Sequence, residues 1–270
     1  GDTDGRIKII SPEGHLLDTQ EKLDGKIIDI DHHLSSGLSA CISQEKIVIF
    51  GEDINKKVIF AQNGTQYAAT SFSPDGEKIA ATSENEISIW NVNNIGNEPI
   101  RISLNDRANH IHWKTDQEWI LCTLENSGLA LISLKSGDVS YLTDFPGPVT
   151  AADWCDKDNV FVASGAFRTT AWSLNEETGT GPSYEALQSG RSGLVLITMI
   201  ATNNKNDFIA VGYENGQVLL TKPGLPDELL LHNEGSSISG LYWSEDAKYL
   251  AIAFEGGEAA LIDFPPQMFK

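Results

Sequence analysis

Cysteine is scarce in this chain, with three in 270 residues, at positions 41, 122 and 155. That number cannot build a disulfide framework, which excludes the small secreted scaffolds that depend on one. Positive charge is scarce too. Lys and Arg total 19 against 38 Asp and Glu, giving a net charge of −19 and a pI near 4.5. A chain this acidic is poorly suited to displacing counterions from duplex phosphates or docking on anionic lipid, so neither nucleic acid nor membrane is an expected partner. Long apolar runs are missing: the longest, Leu194 to Ala201, has eight residues and includes Thr198, well short of a membrane span. The opening Gly-Asp-Thr-Asp-Gly has no signal-peptide pattern. These absences imply a cytoplasmic protein. Amphipathic helices are missing as well, since no stretch sustains apolar residues at i, i+3, i+4 and i+7. The 40% of apolar residues still supports a substantial core.

What is present is a repeat. Phe72-Ser73-Pro74-Asp75-Gly76, then Lys78 to Ser83, then Ile87-Ser88-Ile89-Trp90 read as strand, turn, strand, turn, strand. The last apolar residue of the third strand recurs at Ile10, Phe50, Trp90, Ile132, Trp172, Leu220 and Ile262. The intervals are 40, 40, 42, 40, 48 and 42 residues. First strands end on an aromatic at Phe72, Trp113, Trp154 and Trp243, each 18 or 19 residues before the third-strand marker. Second strands are expected at Ile79–Thr82, Trp119–Thr123, Val160–Ala163, Phe208–Val211 and Tyr249–Ala253. Weaker fourth strands are expected at Leu16–Thr19, Lys57–Phe60, Ile100–Leu104, Val139–Leu142 and Glu228–Leu231. Four short antiparallel strands per 40 to 45 residues make a propeller blade.

Phe-Ser-Pro-Asp-Gly followed by Ile-Trp-Asn, and Trp-Ser-Glu-Asp-Ala followed by Leu-Ile-Asp, resemble WD40 repeats. The pattern is strongest near 66–92 and 237–264 and degenerate elsewhere. The signature dipeptide becomes Trp90-Asn91, Trp172-Ser173 and Ile262-Asp263, and His232 lacks the preceding Gly of the family's Gly-His element. The polar network of the family would be partial, pairing Ser83 with Trp90 and Ser164 with Trp172. The C-terminal third is similar to diverged bacterial, alphaproteobacterial-like WD40 proteins of unassigned activity. The resemblance implies an all-β, WD40-like β-propeller of about seven four-stranded blades, a single domain spanning 1–270. Six first strands and seven third strands leave the first blade incomplete. Missing upstream residues, or a partner that inserts the absent strands, would account for that.

The most tempting chemical motif is Asp29-Ile30-Asp31-His32-His33, which resembles the metal-binding motif of DHH phosphoesterases. His110 and His112, two apart on a strand, share a face and form a second candidate ligand pair. Cys41 and Cys122 read as small buried hydrophobes, and Cys155 sits beside Asp156 and Asp158, which disfavours a thiolate. No nucleophile elbow, phosphate loop or dinucleotide fingerprint is present. Asn63-Gly64-Thr65 matches a glycosylation sequon and reads as a turn. The expected catalytic set, metal set and cofactor are therefore none, and a metal-dependent hydrolase using His32, His33, His110 or His112 is the alternative.

The WD40 resemblance implies a non-enzymatic protein-interaction scaffold, or a propeller module of a larger protein. The binding face is expected on turns between second and third strands and turns entering first strands. Residues there that break the acidic background are Arg107, Phe145, Phe167, Arg168, Arg191, Tyr213 and Phe254. Aromatics and Arg are common interface anchors. The Gly-, Ser- and Thr-rich segment Asn175–Gly193 reads as a loop insertion. An acidic scaffold favours a protein partner with a basic patch.

Overall fold

The computed structural model describes residues 3–269, apart from 12–14, 20–22, 24, 44, 52–57, 61–64, 127, 175–185, 192 and 204. Lys56, Lys57, Asn63 and Gly64, and most of the Asn175–Gly193 segment, lie outside the described residues. The described residues form strands, turns and three short 3-10 turns, with no α-helix among them. They fall in two compact units, Gly1–Val139 and Ser140–Lys270.

A hairpin comes first, pairing β1 (Lys8–Ile10) with β2 (Leu16–Thr19). The next sheet runs in order through β3 (Ile27–His33), β4 (Leu38–Ser43), β5 (Lys46–Phe50) and β6 (Val58–Phe60). Its successor runs through β7 (Tyr67–Phe72), β8 (Lys78–Ser83), β9 (Glu86–Asn91) and β10 (Ile100–Ser103). Then come β11 (Ala108–Trp113), β12 (Trp119–Leu124), β13 (Gly128–Ser133) and β14 (Val139–Leu142). The fourth sheet holds β15 (Ala152–Cys155), β16 (Val160–Ser164), β17 (Thr169–Ser173) and β18 (Leu187–Ser189). The fifth holds β19 (Ile197–Ala201), β20 (Ile209–Tyr213), β21 (Val218–Thr221) and β22 (Leu229–His232). The last has three strands, β23 (Ile238–Trp243), β24 (Tyr249–Phe254) and β25 (Ala259–Asp263).

The expected seven four-stranded blades are thus corrected to six blades of three or four strands. The seventh third-strand marker, Ile10, belongs to a hairpin in which β1, among the described residues, pairs only with β2. With no first or second strand beside it, that hairpin is not a blade. One blade gains a strand instead. The 48-residue interval read as an insertion contains β18, the fourth strand of its sheet.

Burial explains why the repeat takes this form. Second and third strands of the four-stranded blades are largely buried, as in β8, β12, β13, β16 and β20, whereas in the last blade β24 alternates buried and exposed residues and β25 has no buried one. Fourth strands β10, β14 and β22 have no buried residue. A strand apolar on both faces needs cover on both, and neighbouring blades supply it. Ile42 and Ile47 of one blade pack with Phe72, Ile79 and Trp90 of the next. Ile87 and Ile89 pack with Ile111, Ile120 and Ile132. In the second unit, Val160 and Val162 pack with Ile197 and Val211, and Val218 and Leu220 pack with Leu241, Leu250 and Ile252. Each such side chain contributes about 1.5–3 kcal/mol on burial.

The first-strand aromatic also joins blades. Trp113 Nε1 donates to the Ser71 carbonyl at 3.2 Å, and Trp243 Nε1 donates to the Ala201 carbonyl at 3.1 Å. Each bond reaches the first strand of the preceding blade. First strands β3, β7, β11, β19 and β23 each carry a register shift near their start. A bulge leaves an amide without its ladder partner. In β7 the Ala69 amide is satisfied by Thr82 Oγ1 at 3.0 Å. In the fourth blade Ser164 Oγ accepts from the Thr150 and Ala151 amides at 2.9 and 3.2 Å. The Ser164 hydroxyl expected to face Trp172 is directed to these amides.

The Ser-x-Asp-Gly turns are built by side chains. Ser73 Oγ donates to Asp75 Oδ1 at 2.6 Å, Asp75 Oδ1 accepts the Glu77 amide at 2.9 Å, and the Gly76 amide donates to the Ser73 carbonyl at 2.8 Å. Ser244, Asp246 and Lys248 repeat the pattern at 2.6 and 3.1 Å. The fourth position is left-handed in both: φ is 71° at Gly76 and 57° at Ala247. Glycine suits that conformation and alanine does not. At Gly76 a Cβ would also overlap the His33 ring. Gly76→Ala should therefore destabilise by about 1–3 kcal/mol, whereas Ala247→Gly should stabilise by about 0.5–1 kcal/mol. Thermal and denaturant unfolding of the two variants measures both signs.

Candidate interaction face

The residues proposed for binding divide into those the fold exposes and those it uses internally. Two of them, Phe167 and Arg168, lie on one turn of the second unit, residues 165–168, between β16 and β17. The Gly165 amide donates to the Arg168 carbonyl at 2.7 Å and closes the turn. Ala166 takes φ of 69°, left-handed for a residue with a Cβ, and is buried. Phe167 projects outward, 39% exposed. Arg168 donates from Nη1 to Gln188 Oε1 at 2.6 Å, while its Nε is buried without a hydrogen-bond partner.

Two segments abut this turn. The loop entering β15 carries Phe145, whose ring meets Trp172 edge-on at 5.6 Å between centroids. In the same loop Gly147 lies so close to Ala166 that an added Cβ would stand 2.7 Å from the Ala166 Cβ. The segment entering β19 carries Arg191. Its Gly193 amide donates to the Phe167 carbonyl at 3.5 Å, and the Ile197 amide to the Ala166 carbonyl at 2.9 Å. The Arg191 amide donates to Glu228 Oε1 at 2.6 Å, and the residue is exposed. Phe167 and Arg168 thus lie on one strained turn that Gly147, Gly193 and Ile197 abut, whereas Phe145 packs on Trp172, which stacks on Phe161 at 5.4 Å three residues further along the hairpin, and Arg191 is held at Glu228.

Arg107, in the first unit, lies on the turn entering β11. Its carbonyl accepts the Glu125 amide at 2.9 Å, its neighbour Asp106 accepts the Asn126 amide at 2.7 Å, and its Nε is buried without a hydrogen-bond partner.

Tyr213 and Phe254 go inward. They are 8% and 6% exposed and belong to core clusters, so neither ring offers a contact surface. Burial, then the nearby Glu228 charge, pushes the Tyr213 hydroxyl up to about 12. Both are the last residue of a second strand. Ser43, Ser83, Leu124 and Ser164 hold that place in the other blades, and all are buried. Comparing that position across blades would have revealed the inward direction. Gln188, which anchors Arg168, was missed because β18 carries no β-branched residue to mark it as a strand.

The Asp29–His33 motif is structural. Asp29 Oδ2 accepts the Thr70 amide at 2.8 Å, and Asp31 Oδ2 accepts the Phe72 amide at 2.7 Å. His32 Nδ1 meets Ser39 Oγ at 2.9 Å. His33 Nε2 donates to the Pro74 carbonyl at 3.0 Å and Nδ1 meets Ser36 Oγ at 2.8 Å, so both ring nitrogens are engaged. His110 Nδ1 meets Thr123 Oγ1 at 2.9 Å, and burial, then His112, lowers its pKa to about 4. Among the described residues no three His, Cys, Asp or Glu side chains converge as a metal site. The three cysteines are buried and form no disulfide, and burial raises the Cys122 thiol.

Residues 200–265 match the family described as Anaphase-promoting complex subunit 4 WD40 domain. The match and the blade architecture support a WD40-repeat family. The matched stretch covers the end of β19 through β25, the last two blades. No curated protein matches the chain.

Asp29 yields a pH prediction. Burial outweighs the amide bonds it accepts and raises its carboxyl from 3.8 to about 6. Because the folded pKa lies above the unfolded one, the carboxylate opposes folding above pH 6, and that cost fades as pH falls toward 3.8. Asparagine keeps an oxygen for the Thr70 amide. Asp29→Asn should stabilise at pH 7 by about 1–2 kcal/mol and have no effect near pH 4. Urea unfolding of wild type and variant at the two pH values checks it.

Proposed function

We propose that this protein is a non-enzymatic, cytoplasmic protein-interaction scaffold, a diverged bacterial WD40 protein that holds a partner on the face built around residues 165–168. The observation that carries this reading is the turn itself. A non-glycine residue in a left-handed conformation stores strain that surrounding contacts must hold. Here the contacts hold it beneath an exposed Phe167 and a guanidinium with one unsatisfied N–H. The buried Arg168 Nε costs stability without reaching the surface, so the exposed Phe167 ring is the group a bound chain would meet. The matched family is named for a subunit of a complex, which fits a domain that works by gripping other polypeptides.

The partner carries a basic patch. With a net charge of −19, the chain attracts cationic surfaces over distances set by ionic strength. Association should therefore slow as salt rises, more than dissociation quickens.

The test is capture from native lysate with the tagged full chain at low and moderate salt, followed by mass spectrometry. One protein should be recovered in near-equal amount. Phe167→Ala with Arg168→Ala should weaken its capture roughly tenfold or more, a loss of about 1.4 kcal/mol per decade. Lys205→Ala, on an exposed turn between first and second strands, should leave it unchanged. Absence of any stoichiometric protein at either salt, or capture indifferent to the double variant, overturns the reading.

A further inference from the structure

The first unit contains a groove of about 570 Å³ whose charge opposes that of the chain. Ile89 and Trp113, both almost fully buried, form its floor. Leu134 closes the far side. The near wall is β10, the end strand of its sheet, whose Ile100 is 63% exposed. β9 pairs one edge of β10, and among the described residues no strand pairs the other edge, which leaves its backbone donors and acceptors open to an added strand.

The rim is cationic. Lys78, Arg101 and Lys135 line it, with Glu118 as the one lining carboxylate. In the whole chain carboxylates outnumber cations by 38 to 19. Arg101 is fixed by Glu86 at 2.8 Å and Glu98 at 3.7 Å. Lys78 interacts with the Asp75 carboxylate, which is bonded to the lining Gln117, so Lys135 and the remaining charge of Lys78 supply the positive field of the groove.

We infer that this groove takes an extended acidic–aliphatic segment of a partner protein, added as a strand along β10. Main-chain bonds to a sheet edge bind any extended peptide, and side-chain pockets and charge then select among them. Alternate aliphatic residues would enter between Ile100 and Leu134. The intervening carboxylates would face Lys78 and Lys135. The volume suits a few side chains. This rests on the interaction reading above and adds a second site to it, in the other unit, with the opposite charge preference.

The probe is a fluorescein-labelled synthetic peptide of alternating Leu and Asp, titrated with the full chain and read by fluorescence polarisation. It should bind at least roughly tenfold more tightly than Leu–Lys or Ser–Asp peptides of equal length. Its affinity should fall as salt rises from about 20 to about 300 mM. Lys78→Glu with Lys135→Glu should cost roughly tenfold or more, as should Ile100→Ser alone, which alters only an exposed side chain. Equal binding of the three peptides, or unchanged affinity in the charge-reversed protein, overturns the proposal. The two readings fail separately. Lysate capture that survives charge reversal while the Leu–Asp peptide does not bind overturns the groove alone. Peptide binding without any captured protein supports the groove and overturns the 165–168 face.

Discussion

Two-sided burial of the second and third strands is the constraint on which everything else depends. A sheet whose central strands are apolar on both faces cannot stand alone in water. Each blade must be covered by the next, which forces repetition at a fixed period. It also dictates side-chain size. The buried strands alternate Ile, Leu and Val with Ala, Cys, Ser and Thr, as in Leu121, Cys122 and Thr123 or Val162, Ala163 and Ser164. Large residues fill the space between blades, and small ones let strands approach. The small polar residues do not violate the core, because Thr82, Thr123 and Ser164 bond groups at the start of neighbouring first strands.

That arrangement explains the positions of aromatics and carboxylates. A tryptophan at the end of a first strand is a packing residue with one polar atom, and the preceding blade accepts its N–H. Asp29, Asp31 and Asp153 do the complementary work, accepting amides of a following strand. A motif that reads as metal-binding in one dimension is, in three, a pair of carboxylates fastening blade to blade. The half-buried Asp29 carries a desolvation cost for this role.

Much of the fold was legible in the sequence. Every third-strand marker falls in a strand that pairs with a second or fourth strand, and the four aromatic markers fall in β7, β11, β15 and β23. Periodicity succeeded there because two-sided burial leaves unbroken apolar runs. It failed where burial is slight. The outer strand β18 reads Leu-Gln-Ser and has no apolar pattern to betray it. The blade count failed differently, since Ile10 satisfies the period while its hairpin lacks the inner strands a blade requires. For the proposed binding residues, side-chain direction was not legible. Tyr213 and Phe254 stand at the last paired position of their strands, one residue before the chain leaves the sheet.

The burial gradient across each blade has a further meaning for motion. Fourth strands such as β10, β14 and β22 hold no buried side chain, so little apolar area is lost when one peels away, whereas releasing a second strand exposes both of its faces. Opening therefore runs from the rim inward. The outer strands exchange their amide protons through small local excursions, and the inner strands only when a blade parts from its neighbour. Each such blade can lend its outer strand to transient contacts while its inner strands stay paired.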